Sequence, residues 1–265
     1  MSNAVIAGVD MVKFAKPGQQ KPFREMASTA IRGAVADAGI EPSLIEQAYG
    51  SYIYGDSTCA QHALYDAFMT GIPVINVNNN CSSGSTAIFM ARQAVQSGAV
   101  ECALAFGFEE MQPGALGSHW DDRESPFENF FRVLDQNNYP EAPLALRCFG
   151  AAGHHYMEKY GASADLFAKV AVKTRNHAAV NPFALFTSEL TVEEVMASPV
   201  LYMDYLTRLM CCPPTCGAGA AVICSDSFAS RHGISTGVEI VSQAMATDTP
   251  ATWDDPINLV GADMT

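Results

Sequence analysis

Along the first 110 residues, short apolar runs alternate with stretches of helical period. Residues 4–9, AVIAGV, read as a strand. Residues 22–39 read as an amphipathic helix with Met26, Ala30, Ile31, Ala34 and Val35 on one side and Gly39 as its stop. Further strands are predicted over 46–54, 72–77 and 101–109, with helices between them over 58–69 and 85–95. This alternation predicts a parallel sheet with helices on both faces. The helix over 85–95 is apolar nearly all round, with Ala87, Ile88, Phe89, Met90, Ala91, Ala94 and Val95 covering most of its circumference. A helix of that kind is buried on more than one side, so a further layer is expected over it.

From 111 to 139 the periodicity fades, and Pro113, Gly114, Gly117, His119, Trp120, Asp121, Asp122 and Arg123 read as an irregular loop. Helices are predicted over 151–160, 164–179 and 191–197, separated by Gly161, Asn181-Pro182 and Ser198-Pro199. A strand over 219–225, a short helix over 228–232 and a last strand over 238–246 resume the α/β pattern. Three parts are therefore expected: 1–110 as the first part of an α/β domain, 111–210 as an insertion, and 211–265 as the return to that domain.

Composition adds bounds. The chain has 265 residues, 49% of them hydrophobic and 16% charged, enough to bury a sizeable core. The net charge of −13 argues against nucleic acid as a partner. No apolar run is long enough to span a membrane. The N-terminus lacks a basic region followed by a long apolar one, so no signal peptide is expected. The eight cysteines are scattered, several in apolar runs, which suits reduced thiols in an intracellular compartment, the cytoplasm.

Chemistry is most readable at Cys81. It follows a predicted strand and the turn-forming Asn78, Asn79 and Asn80, and it precedes a helix through the small residues Ser82, Ser83 and Gly84. Unpaired N–H groups and the positive dipole end at a helix start favour the thiolate, which is the nucleophile. The same spacing also fits a buried structural cysteine. Elsewhere the sequence is weaker. Cys211, Cys212 and Cys216 lack the paired spacing and the histidine of a zinc site, and Cys59 with His62 is an isolated pair, so no metal is expected. His154 and His155 fit a polar helix face. Lys159, Lys169, Lys173, Arg175 and His177 fit a solvated face or a clamp for cofactor phosphates.

The segment NNNCSSGSTAIFMARQAVQSGAVECALAFGFEEM resembles the nucleophile region of the thiolases, in particular their sterol-carrier, non-specific lipid-transfer branch. PGALGSHWDDR, FGAAGHHYMEKYG, NPFALF, EVMAS, Cys211-Cys212-Pro and LVGADM follow in the family's order. The resemblance implies a thiolase-like layered α/β sandwich of two similar halves, the first with a mostly parallel mixed sheet and an inserted helical loop domain. It implies an acyl-CoA acyltransferase that cleaves or forms 3-ketoacyl-CoA, with coenzyme A as a substrate and no bound cofactor. Cys81 matches the acylated cysteine, Cys212 a position lining the pantetheine channel, and Phe149 a pocket-lining position of the loop domain. The family works as dimers, with the strand before the nucleophile at the interface.

Two departures follow. The family's second half, with a His-Asp-Cys-Phe segment, a catalytic histidine and a glycine-rich loop, has no counterpart in these residues, and Cys216 stands where relatives often carry Asp. A nucleophilic cysteine needs an activating base and a stabilised oxyanion, so the 265 residues alone are expected to show no thiolase turnover. Two other readings stand beside the acyltransferase. One is a thiolase-fold steroid-CoA retro-aldolase with tyrosine chemistry and an accessory protein. The other is a non-catalytic acyl-CoA- or lipid-binding subunit that needs a partner over its exposed face.

Overall fold

The computed structural model describes residues 3–112, 114–115, 117, 120–235 and 237–261. Pro113 and His119 of the irregular segment, and residues 262–264 of the LVGADM motif, lie outside them. In chain order the elements are β1 (Ala4–Met11), α1 (Phe23–Ala38), β2 (Gln47–Ser51), α2 (Cys59–Tyr65), β3 (Val74–Val77), α3 (Ser83–Gln96), β4 (Cys102–Glu109), α4 (Glu128–Gln136), α5 (Leu144–Tyr160), α6 (Asp165–Ala179), α7 (Val192–Ala197), β5 (Val200–Tyr202), β6 (Leu206–Thr207), β7 (Gly217–Ser225), α8 (Asp226–His232) and β8 (Val238–Glu239). They form two compact units, Met1–Pro113 with Pro214–Gln243, and Gly114–Pro213 with Ala244–Thr265.

The first unit is built on a mixed six-stranded sheet in the order β3-β2-β4-β7-β1-β8. β2 runs parallel to β3 and β4, while β7 is antiparallel to both β4 and β1. β1 to β4 therefore share one direction, as the alternating pattern predicts, and β7 and β8 run against them. β4 and β7 read as continuous apolar runs because both their faces are covered. Cys102, Leu104, Phe106 and Phe108 join Ala220, Val222 and Cys224 in the core beneath α1 and α2. Ala103, Ala105 and Ile223 face the opposite way, toward Ala87, Ala91 and Val95 of α3. The two-residue side-chain period of a strand produces this division.

α1 begins after Pro22 and ends at Gly39, whose φ of 66° is the left-handed conformation that suits glycine at a helix end. It buries Met26, Ala30, Ile31, Ala34 and Val35, the predicted stripe, together with Ala27, Ser28 and Ala38. It also comes unusually close to the sheet. A Cβ on Gly8 of β1 would lie 2.4 Å from the carbonyl oxygen of Ala34.

The second unit packs Val133, Leu134, Tyr139, Cys148, Ala151 and Leu259 into one core, with Phe130 and Trp253 against it. Arg147 is buried and donates to the carboxylate of Asp135 at 2.5 Å and to the carbonyl of Tyr139 at 2.6 Å. Asp255 ties the 3-10 turns of Pro250–Trp253 and Pro256–Val260 to α5, lying 3.3 Å from His155 and 3.4 Å from Lys159. Several elements differ from the sequence reading. α4 falls in the segment read as irregular, α5 starts at Leu144 instead of 151, and β8 ends at Glu239 instead of 246.

Candidate functional site

Cys81 sits in a short turn between β3 and α3. β3 is an edge strand, paired only with β2 among the described residues, and of its four residues only Val77 is buried. The strand predicted over 72–77 spans Val74–Val77. Beyond it the chain turns back through Asn80, whose φ is +48°, a conformation that asparagine tolerates because its side chain can bond locally. Asn78 Oδ1 accepts the Asn80 N–H at 3.2 Å, and Ser83 Oγ accepts the Asn79 N–H at 2.8 Å. The hydroxyls of Ser82 and Ser83 donate to the carbonyls of Asn79 and Asn80 at 2.7 and 2.6 Å. The polar run at 78–83 thus folds onto itself, and the Asn79 amide also donates to Thr86 Oγ1 in the first turn of α3 at 3.0 Å.

Helix α3 starts at Ser83 with Ser82 as its cap, so Cys81 precedes the first turn instead of lying within it. Its thiol is exposed and reduced, and it donates to Asn80 Oδ1 at 3.7 Å. Exposure removes the reading of Cys81 as a buried structural cysteine. Gly84 and Ser85, in the first turn beside it, are exposed small residues. A substrate can therefore approach both the sulfur and the helix start.

The parallel register determines what else surrounds the thiol. Ser51 pairs with Val77 on one side and with Gly107 on the other. The carboxyl ends of β2, β3 and β4 are therefore adjacent, which is where open α/β sheets bind ligands. Two groups that the sequence did not single out lie at these ends. Glu109, the last residue of β4, accepts the backbone N–H groups of Ile53 and Tyr54, both at 3.1 Å. Burial raises its carboxyl above the usual range, against the pull of those N–H donors. Tyr54 is half-buried, and its phenol is held above its ordinary range by burial, then by Glu109, then by Cys81. A carboxyl ending the otherwise uncharged run 102–108 is the one sequence signal that could have drawn attention here.

The other two sequence candidates belong to the second unit. Phe149 lies on α5 with 64% of its surface exposed, and Cys212 is exposed just after the 3-10 turn Arg208–Met210. Of the basic residues weighed as a phosphate clamp, Lys159 faces Asp255, Lys169 pairs with Asp165 at 2.6 Å, and Arg175 lies over the ring of Phe186. Among the described residues no group of three or more His, Cys, Asp or Glu is placed to hold a metal ion. Among them, too, no helix is long and apolar enough to cross a membrane.

Residues 4–198 match the thiolase N-terminal domain family. The chain belongs to the thiolase family. The matched span includes Cys81 and Phe149 and ends before Cys212. The rabbit (Oryctolagus cuniculus) protein "Sterol carrier protein 2" is 45% identical over 266 residues, covering 98% of this chain and 48% of its own. The chain spans about half the length of such curated thiolase relatives. Among solved structures, Bacillus anthracis acetyl-CoA acetyltransferase superposes with a TM-score of 0.71 at 20% identity, over 97% of this chain and 73% of that one. An Ltp2-ChsH2(DUF35) aldolase superposes with a TM-score of 0.70 at 24% identity, over 86% and 57%. At those identities the likeness shows the thiolase fold.

Proposed function

We propose that this chain carries the nucleophile of a thiolase-type acyl-CoA acyltransferase acting on 3-ketoacyl-CoA. The observation that carries the reading is the exposed thiol of Cys81, set before α3 at the joined carboxyl ends of β2, β3 and β4. In the cleavage direction the thiolate adds to the C3 carbonyl of the substrate. The C2–C3 bond then breaks, its electron pair leaves with the acetyl-CoA fragment and is protonated there, and the remaining acyl group stays on sulfur as a thioester. The thiol of free coenzyme A takes that acyl group and returns the cysteine; condensation is the same path reversed. This chain is assigned the acyl-accepting step, with Phe149 at the acyl pocket and Cys212 along the pantetheine path.

The edge strand β3 is where a second copy of the chain is proposed to pair. Asn76 is exposed there and Val74 and Ile75 are half-buried, and such an edge is a template for another strand. A retro-aldolase with an accessory protein is the rival reading, because a structure named as an aldolase with a DUF35 partner has the same fold. Dependence on Cys81 separates the two. The test is intact mass after incubation with a 3-ketoacyl-CoA, for wild type and Cys81→Ala. A thioester adduct in wild type that is missing from the variant is expected. An unmodified wild type, or an adduct that survives Cys81→Ala, overturns the reading.

A further inference from the structure

The three asparagines before Cys81 divide the work of the turn. Asn78 uses its side-chain oxygen on the Asn80 N–H at 3.2 Å, and Asn79 uses its side-chain nitrogen on Thr86 Oγ1 at 3.0 Å. Asn80 is placed differently. Its backbone is held at both polar atoms, because its carbonyl also accepts the Ser83 N–H at 3.0 Å and the Ser83 hydroxyl at 2.6 Å. These bonds keep it in the left-handed conformation, with φ at +48°, which asparagine and glycine adopt more readily than other residues. With the backbone fixed, the exposed side chain is directed at the nucleophile. Its one hydrogen bond among the described residues is to Cys81, whose sulfur donates to Oδ1 at 3.7 Å.

We propose that the Asn80 carboxamide is the side-chain partner of the reacting sulfur in both its protonation states, accepting from the thiol through Oδ1 and donating to the thiolate through Nδ2. The inference rests on the reading of Cys81 as the reacting thiol and adds a group that holds it. The two ends of a carboxamide have nearly the same shape, and its terminal torsion is broad and two-fold. A half-turn therefore exchanges acceptor for donor at the same place, with no movement of the fixed backbone. A donor at that place favours the charged form of the sulfur and so lowers the thiol's pKa. A carboxylate of the same shape can only accept, and its charge opposes the thiolate. The titratable groups at the adjoining strand ends are Tyr54, after β2, and Glu109 of β4. Substitution at position 80 leaves both in place, so a change in Cys81 reads the carboxamide.

The test is the pH profile of Cys81 alkylation by iodoacetamide in the whole chain, followed by peptide mass spectrometry, with the exposed Cys212 as internal reference. Asn80→Gly keeps the left-handed backbone and removes the carboxamide, and the midpoint for Cys81 is expected to rise by about half a unit. Asn80→Asp keeps the shape, removes the donor and adds a charge, for an expected rise of about one unit. Asn78→Ala loosens the same turn without touching the Asn80 side chain, and is expected to move the midpoint by less than Asn80→Gly does. Cys212 is expected to keep its midpoint throughout. An unchanged midpoint in Asn80→Gly overturns the proposal, and so does a lowered one, because the carboxamide would then act as acceptor alone. A midpoint that fails to rise in Asn80→Asp overturns the contact itself. A shift in Asn78→Ala as large as that in Asn80→Gly overturns the part of the carboxamide, since turn geometry would account for both. Parallel movement of Cys212 overturns a local effect. The profile needs no acyl-CoA, so these shifts without an acyl adduct sink the acyltransferase reading alone, and an adduct without these shifts sinks this inference alone.

Discussion

Helices α1 and α3 lie on opposite faces of the same sheet and use it differently. α1 buries eight of its sixteen residues, among them Met26, Ile31 and Val35 at 6% exposure or less. α3 buries five of its fourteen, the stripe Ser83, Ala87, Ala91 and Val95 together with Arg92. The remaining apolar side of α3 is incompletely covered within its unit, with Ile88 at 37% exposure and Phe89 and Met90 half-buried. What covers α3 there is polar in part: Arg92 donates to the Val241 carbonyl and the Gln243 amide to the Phe89 carbonyl, both at 3.0 Å. Among the described residues, the buried Arg92 Nε and Gln243 Oε1 have no hydrogen-bond partner. The α1 face is closed and holds the larger of the unit's two cores. The α3 face carries the candidate nucleophile and keeps apolar surface for a further layer.

The largest effect expected from this contrast is at Ile31, which is fully buried beneath the sheet. Ile31→Ala deletes buried methyl and methylene groups and leaves a cavity, at a cost of about 2–5 kcal/mol. Urea unfolding of the chain is the measurement. A loss under about 1 kcal/mol would mean that the α1 face is not where the unit is held together.

Next comes a pair of glycines, one on each side. At Gly8 a new Cβ meets the backbone of Ala34 and Ala38 within 2.4 Å, and neither can move without shifting α1. Gly8→Ala is therefore expected to destabilise by about 1–3 kcal/mol. At Gly84 the nearest atom to a new Cβ is Ser51 Oγ at 3.9 Å, an ordinary contact, and the residue sits in the first turn of α3. Gly84→Ala is expected to be neutral or to gain up to about 1 kcal/mol through helix propensity. Thermal melts of the two variants side by side check the pair. Equal costs would erase the distinction between a face packed backbone to sheet and one that leaves room.

The contrast also explains what was legible in the sequence. α1 was legible because one face is apolar and the other polar, so its period shows directly. β4 and β7 were legible as uninterrupted apolar runs because both faces of each are buried. α4 was missed although Phe130, Val133 and Leu134 recur at helical spacing, because the flanking prolines, glycines and charges mask so short a period. A last strand is predicted over 238–246, yet among the described residues β1 pairs with Val238 and Glu239 and takes one further bond from the Ile240 N–H to the Ala4 carbonyl at 3.0 Å, and Val241 and Met245 stay 78% and 51% exposed. At the site, Cys81 could be found because strand, turn and helix start are contiguous. Tyr54 and Glu109 are 55 residues apart, and only the parallel register of β2 with β4 brings them together.

The smallest effect expected is at Ile88, and it is the sharpest probe of the α3 face. In a chain where that face is open to water, Ile88→Ser costs clearly less than loss of a fully buried side chain, because 37% of Ile88 is already exposed. The fully buried Val95 on the other side of the same helix, replaced by Ala, sets the scale for a covered position. If Ile88→Ser instead costs as much as Val95→Ala, the face is covered in solution. A second copy of the chain or a bound partner then contributes to the measured stability. Mass action decides which: cover by a second copy makes the melting temperature rise with protein concentration, and Ile88→Ser removes that dependence. Cover from within the chain leaves the melting temperature independent of concentration. A small cost with no concentration dependence keeps the comparison as drawn, with α1 closed and α3 open on its outer side.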